Sequence, residues 1–195
     1  MDRFAEPRKI ANLLAALDCP WWVCGGWAID LFLDRVTRPH KDVDIAVQRH
    51  DQCTIQTYLT SQGWSLEKVL NGTLIPWAAD ERIALPVHVI WCKHPTFDPP
   101  FFELLFNEVD GVVFRFRRDQ SITHSVTQIS QQTASGIPIL APQIVLLYKA
   151  GNPSQDGYTA DFVHVLPRLS LEQRNWLYTN LVKRHPGHAW LAYFG

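Results

Sequence analysis

The sequence predicts an α+β fold, a mixed sheet with flanking helices followed by a small helical lobe. Three observations lead there. Strand-like patterns crowd the stretch before Leu140, helical patterns take over from Pro142, and no internal repeat or low-complexity tract interrupts either. The 195 residues are 47% hydrophobic, enough apolar material for a core, and the length suits one domain or two small ones. The boundary is expected near Ile139 to Pro142, giving a domain over 1–140 and a helical one over 141–195.

Taken in order, Ile10, Leu13, Leu14 and Leu17 recur at helical spacing within Glu6–Asp18, an amphipathic helix facing a core. Trp21–Cys24 reads as a short buried strand stopped by Gly25-Gly26. A helix from Trp27 to Asp34 follows, apolar on more than one side through Ile29, Leu31, Phe32 and Leu33. After a turn around Pro39, Asp42–Gln48 reads as a strand and Asp51–Gln62 as a polar helix. Strands are expected at Ser65–Leu70, Val87–Cys92, Phe101–Glu108 and Val112–Arg117. Asn71-Gly72 supplies turn chemistry, and Asp110-Gly111 joins the last two strands as a hairpin. Helices at Gln143–Ala150, Tyr158–Leu166 and Leu171–Arg184 and a final turn at His188–Tyr193 complete the chain.

Composition narrows the function. With 18 basic and 19 acidic residues the formal charge is −1, so no global basic field points to nucleic acid or membrane. No apolar run approaches the roughly 20 residues that span a bilayer. The segment Met1–Glu6 has no signal-peptide pattern, which makes the cytoplasm the expected compartment. Cys19, Cys24, Cys53 and Cys92 lack both metal-ligand spacing and a disulfide framework, and read as free thiols.

The informative stretch is Trp22–Val47, WVCGGWAIDLFLDRVTRPHKDVDIAV. In a strand alternate side chains share a face, so Asp42 and Asp44 are expected to project together, with Val43, Ile45 and Val47 opposite. Two adjacent carboxylates raise each other's proton affinity and stay ionised most easily around a divalent cation. Oxygen-only ligation suits magnesium or manganese. A solvated strand edge is the plainer alternative for this pair alone. Gly25-Gly26, between a buried strand and a helix, lets backbone N–H groups approach a phosphate at the positive end of a helix dipole. Arg35, Arg38 and Lys41 in the next turn are placed to neutralise a polyphosphate. Together these features point to a site for a nucleotide and a metal.

GGWAID followed by RVTRPHKDVDIAV resembles the DNA polymerase β-like nucleotidyltransferase superfamily, and within it the aminoglycoside 2''-adenylyltransferase-like family. The resemblance continues more weakly through IWCKHP (Ile90–Pro95), FELLFNE (Phe102–Glu108), FRRD (Phe116–Asp119), LAPQIVLLYKA (Leu140–Ala150), ADF (Ala160–Phe162) and HPGHAWL (His185–Leu191). It implies a palm-like sheet lobe, a helical C-terminal lobe and attack of a substrate hydroxyl on the α-phosphorus of an NTP, with pyrophosphate leaving.

The resemblance also implies a third carboxylate beside Asp42 and Asp44, as metal ligand and base. Glu103, which opens FELLFNE, is the first choice, with Glu108 and then Asp110 behind it. It makes Gly25, Gly26, Arg38, Lys41 and Lys149 the nucleotide contacts, although Lys149 also reads as a solvated lysine at a helix end. Related sequences carry a further lysine where Ser154-Gln155-Asp156 stands here. Asp161 reads equally as an acceptor-positioning residue or an exposed one. Trp77, Trp91 and His88 fit packing or surface roles better than ligand contact.

The expected activity is transfer of a nucleoside monophosphate, AMP from ATP, to a hydroxyl of a small acceptor, an aminoglycoside-like compound included, by a monomer or homodimer. The rivals are an antitoxin-type nucleotidyltransferase acting on a protein partner and a degenerate nucleotide-binding protein.

Overall fold

A computed structural model describes residues 2–195. Helix α1 (Ala5–Leu14) buries Ile10 and Leu14 and ends four residues short of the expected Asp18. Strand β1 (Trp21–Cys24) leads without a loop into α2 (Gly25–Leu33), so the glycine pair forms the first turn of the helix rather than preceding it. Asp34 closes α2 in a left-handed conformation, φ 53°. Strand β2 (Asp44–Gln48) and α3 (Gln52–Ser61) follow.

Next come β3 (Ser65–Leu70), β4 (Thr73–Pro76), β5 (Val89–Lys93), β6 (Phe101–Asp110), β7 (Val113–Arg115), β8 (Thr123–Ser125), β9 (Ser130–Gln132) and β10 (Pro138–Leu140). Asn71 and Gly72, both at positive φ, form the two-residue connection between β3 and β4. The β6–β7 hairpin turns at Gly111-Val112, with Asp110 opposite Val113.

The sheet runs β4-β3-β5-β6-β2-β1-β10-β9, with β7 and β8 continuing from β6. It is mixed: β2 pairs parallel to β6 and β1 parallel to β10, while β1–β2 and β5–β6 are antiparallel. Carboxyl-bearing β2 therefore lies at the centre, between β1 and β6.

Helix α2 packs on β1, β2 and β10 and meets α4 (Pro142–Ala150) and α5 (Tyr158–Val165). Helix α6 (Leu171–Arg184) packs against α4 and starts with a capping box in which Ser170 and Gln173 satisfy each other's backbone N–H groups. One hydrophobic cluster joins the two segments, with Ile45, Val47 and Leu104 of the sheet and Leu146, Phe162 and Leu181 of the helices fully buried. The Phe162 and Trp190 rings stack at 4.3 Å within it. No helix is long and apolar enough to cross a membrane among the described residues.

Candidate active site

The start of α2 is shaped by what presses against it. Gly25 has φ +63°, and a β-carbon there would fall inside the Asp44 carboxylate. A β-carbon at Gly26 would strike the His40 ring and come within 2.8 Å of Arg38 Nη2. Both positions thus need glycine because functional side chains approach the backbone closely.

The turn after α2 is held by Asp30, which is fully buried. Its Oδ1 accepts from the Thr37 backbone N–H (3.1 Å) and hydroxyl (2.5 Å), and its Oδ2 lies 2.6 Å from His40 Nε2. The His40 ring also packs against Trp27 at 4.4 Å. This clamp aims Arg38 toward α5. Arg38 donates to both oxygens of Asp161, at 3.1 and 3.4 Å, and Lys149 Nζ reaches the same carboxylate at 2.9 Å. Lys149 Nζ also sits 4.0 Å over the Tyr158 ring. Neither Lys149 nor Asp161 is solvated, at 5% and 2% side-chain exposure. Burial pushes the lysine's pKa down, and Asp161 opposes that shift. Arg35 is exposed and Lys41 stands at the cleft rim.

The carboxylates are differently placed. The strand expected from Asp42 begins at Asp44, and Asp42 occupies the bend before it, because pairing with β6 starts only where Glu103 N–H reaches the Val43 carbonyl at 2.9 Å. Asp42 and Asp44 are therefore not alternate residues of one strand. Glu103 is the register partner of Asp44 on parallel β6, so these two side chains share a face. Burial, then Asp42 and Glu103, push the Asp44 carboxyl up to about 7 against the opposing pull of Lys149 and Arg38. Burial and Asp42 likewise raise Glu103, with the Trp91 side chain pulling the other way. The Cys24 thiol beside them is raised by burial and by Asp44 and Glu103, so it stays neutral.

The other candidate acids are occupied elsewhere. Glu108 is held by Arg49 Nε and Nη2 at 2.8 and 2.7 Å, and Asp110 is exposed and paired with Arg115 at 3.3 Å.

Two clefts meet at Asp44. One, of about 540 Å³, is lined by Gly25, Gly26, Arg38, Lys41, Asp42 and Lys149 among others. The other, of about 320 Å³, runs along the sheet face past Leu105 and Asn107 to Arg117, Arg118 and Tyr148. Gly25, Asp44, Lys149 and Tyr158 belong to both, and Glu103 lines neither. Sequence reasoning passed over Asp30, His40, Tyr148 and Tyr158 at this site; Asp30 and His40 lie inside the motifs that were read, but their pairing is visible only in three dimensions.

Among the described residues no three acid, histidine or cysteine side chains converge into a preformed ion cage. The donor set still fits a hard cation. Magnesium is commonly held by one or two carboxylates, with water and phosphate oxygens completing its shell. Asp44 makes no hydrogen bond or ion pair among the described residues, and its nearest charged neighbours include two further carboxylates.

Residues 7–97 match the model of the aminoglycoside-2''-adenylyltransferase family. A 2''-aminoglycoside nucleotidyltransferase from Escherichia coli is 54% identical over 77 residues, and one from Klebsiella pneumoniae is 33% identical over the same length. Each match covers 38% of this chain and 44% of the relative, so the chain spans under half the length of the curated relatives it matches. The fold agrees over a longer span. The crystal structure of ANT(2'')-Ia in complex with adenylyl-2''-tobramycin superposes with TM-score 0.62 at 15% identity, covering 95% of this chain and 99% of that one. The lincomycin-bound lincosamide antibiotic adenylyltransferase LnuA gives 0.58 at 16% identity, over 83% and 94%. The chain has a nucleotidyltransferase fold, and its first half is similar in sequence to the aminoglycoside-2''-adenylyltransferase family.

Proposed function

We propose that this protein is a nucleotidyltransferase that moves a nucleoside monophosphate, AMP from ATP, onto a hydroxyl of a small acceptor and releases pyrophosphate. The observation that carries the reading is the meeting of uncompensated carboxylates with an anion-binding cradle. Asp44 and its register partner Glu103 stand beside the glycine start of α2, across from Arg38, Lys41 and Lys149.

In this reading the first backbone N–H groups of α2, with Arg38 and Lys41, take the triphosphate. Lys149 and Tyr158 bound the same cleft from the helical segment. Asp42, Asp44 and Glu103 hold magnesium or manganese, which when bound neutralises charge on the phosphates and lowers the pKa of a coordinated oxygen. Glu103, with its proton affinity raised toward neutral pH, accepts the proton of the acceptor hydroxyl. The acceptor oxygen forms a bond to the α-phosphorus, and the bond from that phosphorus to the bridging oxygen breaks as pyrophosphate departs. Residues 1–140 act as the catalytic unit, and 141–195 contribute Lys149 and Asp161.

A small acceptor is favoured over nucleic acid because no basic stripe accompanies the site. Each phosphate contact along a polymer needs its own cation. The names of the relatives and neighbours, aminoglycoside and lincosamide transferases, support the same class of acceptor. The test is transfer from α-labelled NTPs to a panel of aminoglycosides, lincosamides, sugars and nucleosides, followed by pyrophosphate release. Label on a small acceptor, lost in Asp44→Asn, is expected. Stoichiometric labelling of an RNA at physiological salt would overturn the small-molecule reading.

A further inference from the structure

We infer that the acceptor carries an anionic group, a carboxylate or a phosphate, which docks on Arg117 and Arg118 in the second cleft. This rests on the nucleotidyltransferase reading and narrows its acceptor. In-line displacement puts the attacking hydroxyl and the leaving pyrophosphate on opposite sides of the α-phosphorus. The triphosphate cradle of Gly25, Gly26, Arg38 and Lys41 lies in the first cleft, so the hydroxyl approaches Asp44 from the second. Leu105 and Asn107 line that cleft, and they follow Glu103 at alternate positions on the same face of β6.

The ionisable lining of the second cleft is cationic away from Asp44. Lys149 is already paired with Asp161, and burial favours neutral His88. Arg117 is half-buried, and its guanidinium makes no hydrogen bond or ion pair among the described residues. Its position is fixed nonetheless. Its backbone N–H lies 3.4 Å from the Tyr148 hydroxyl, and the neighbouring buried Phe116 packs on Tyr148 at 4.3 Å. Arg118 donates to the Tyr148 carbonyl at 2.6 Å and lies 5.5 Å over the Tyr148 ring.

A half-buried guanidinium without an acceptor is costly unless an anion supplies one, and carboxylate or phosphate oxygens match its planar donors in pairs. Burial and the nearby Arg118 and Arg49 already disfavour the charge on Arg117, which an anion would relieve. A polycation would instead meet two like charges. At about 320 Å³ the cleft suits a monosaccharide-sized group, at the lower end of the roughly 300–1,000 Å³ of small-molecule sites.

The experiment titrates protein saturated with magnesium and a non-hydrolysable ATP analogue with glucose, glucose 6-phosphate, glucuronate and kanamycin, by calorimetry. Tighter binding of glucose 6-phosphate or glucuronate than of glucose or kanamycin is expected, and which anionic sugar leads tells phosphate from carboxylate. Arg117→Gln should weaken the anionic sugar by about tenfold or more, the scale of a lost charge-assisted hydrogen bond, while Arg117→Lys retains part of the affinity. Affinity for the ATP analogue should not change in either variant, and thermal melts confirm that both fold. The inference is overturned by tighter binding of kanamycin, by no binding of either anionic sugar at millimolar concentration, or by an Arg117→Gln loss that falls equally on the ATP analogue. Failure of the wild type to bind the analogue at all would instead remove the nucleotidyltransferase reading.

Discussion

Two buried carboxylate sites lie within reach of the same cleft, and the protein treats them in opposite ways. Asp161, 2% exposed, has Lys149 at 2.9 Å and Arg38 at 3.1 Å, so its charge is balanced inside the fold. Asp44 faces Asp42 and Glu103, and its carboxyl rises to about 7. Burial is costly for an ion unless it is paired. Asp161 therefore reads as architecture, tying the turn after α2 to α4 and α5. Asp44 reads as a position whose balance a bound cation supplies.

The largest contrast should come from the two matched amides. Asp44→Asn should abolish transfer, because an amide is a poor substitute for an anionic ligand, yet leave the ligand-free protein as stable as before or more so. Asp161→Asn should do the reverse to stability. Breaking a buried pair from one side costs about 3–5 kcal/mol, readable as a lower urea midpoint with unchanged slope. Equal destabilisation by both amides would erase the distinction.

A smaller effect separates the acids of β6. Glu103→Gln should slow turnover by about a hundredfold, within the range for a lost general base, with nucleotide affinity retained. Glu108→Gln should scarcely touch turnover and should cost about 1–3 kcal/mol through the stranded Arg49 donors. A near-normal Glu103→Gln with an inactive Glu108→Gln would move the role along the strand.

The mildest expected effect is in pH dependence without metal. The folded pKa of Asp44, about 7, lies above the ordinary 3.8. Between those values the native protein holds a proton that the unfolded chain has released. The stability this group contributes is therefore complete below 3.8 and is lost as pH rises through about 7. In a chelator, the stability advantage of Asp44→Asn over wild type should widen from about pH 5 to pH 8. A constant gap would mean that Asp44 titrates normally.

Much of this was legible from local pattern. The span of α6, Leu171–Arg184, follows from its periodicity and the Ser170–Gln173 signal, and β3 and the β6–β7 hairpin follow from alternation and turn residues. Strands β8, β9 and β10 are three residues each, too short to show a period. The parallel partnership of β1 with β10, between Val23 and Ile139, is a long-range contact with no local sign. The site divides similarly. Gly25, Gly26, Arg38, Lys41, Asp42 and Asp44 are contiguous enough to read as a unit, and they do gather at one cleft. That Glu103 sits opposite Asp44, that Asp161 joins Lys149 to Arg38, and that Arg117 faces the second cleft all depend on register and packing.

The central claim, that the Asp42–Asp44–Glu103 face beside α2 binds a metal-bound nucleotide, is tested most directly by thermal melting of wild type and Asp44→Asn. Each is melted in chelator and again with saturating magnesium and a non-hydrolysable ATP analogue. A ligand at a hundred times its Kd stabilises a folded protein by about 2.7 kcal/mol. The account predicts that the variant melts at or above wild type in chelator, and that only wild type gains several degrees with the ligands. Equal gains in both proteins, or a variant already unfolded in chelator, would contradict it.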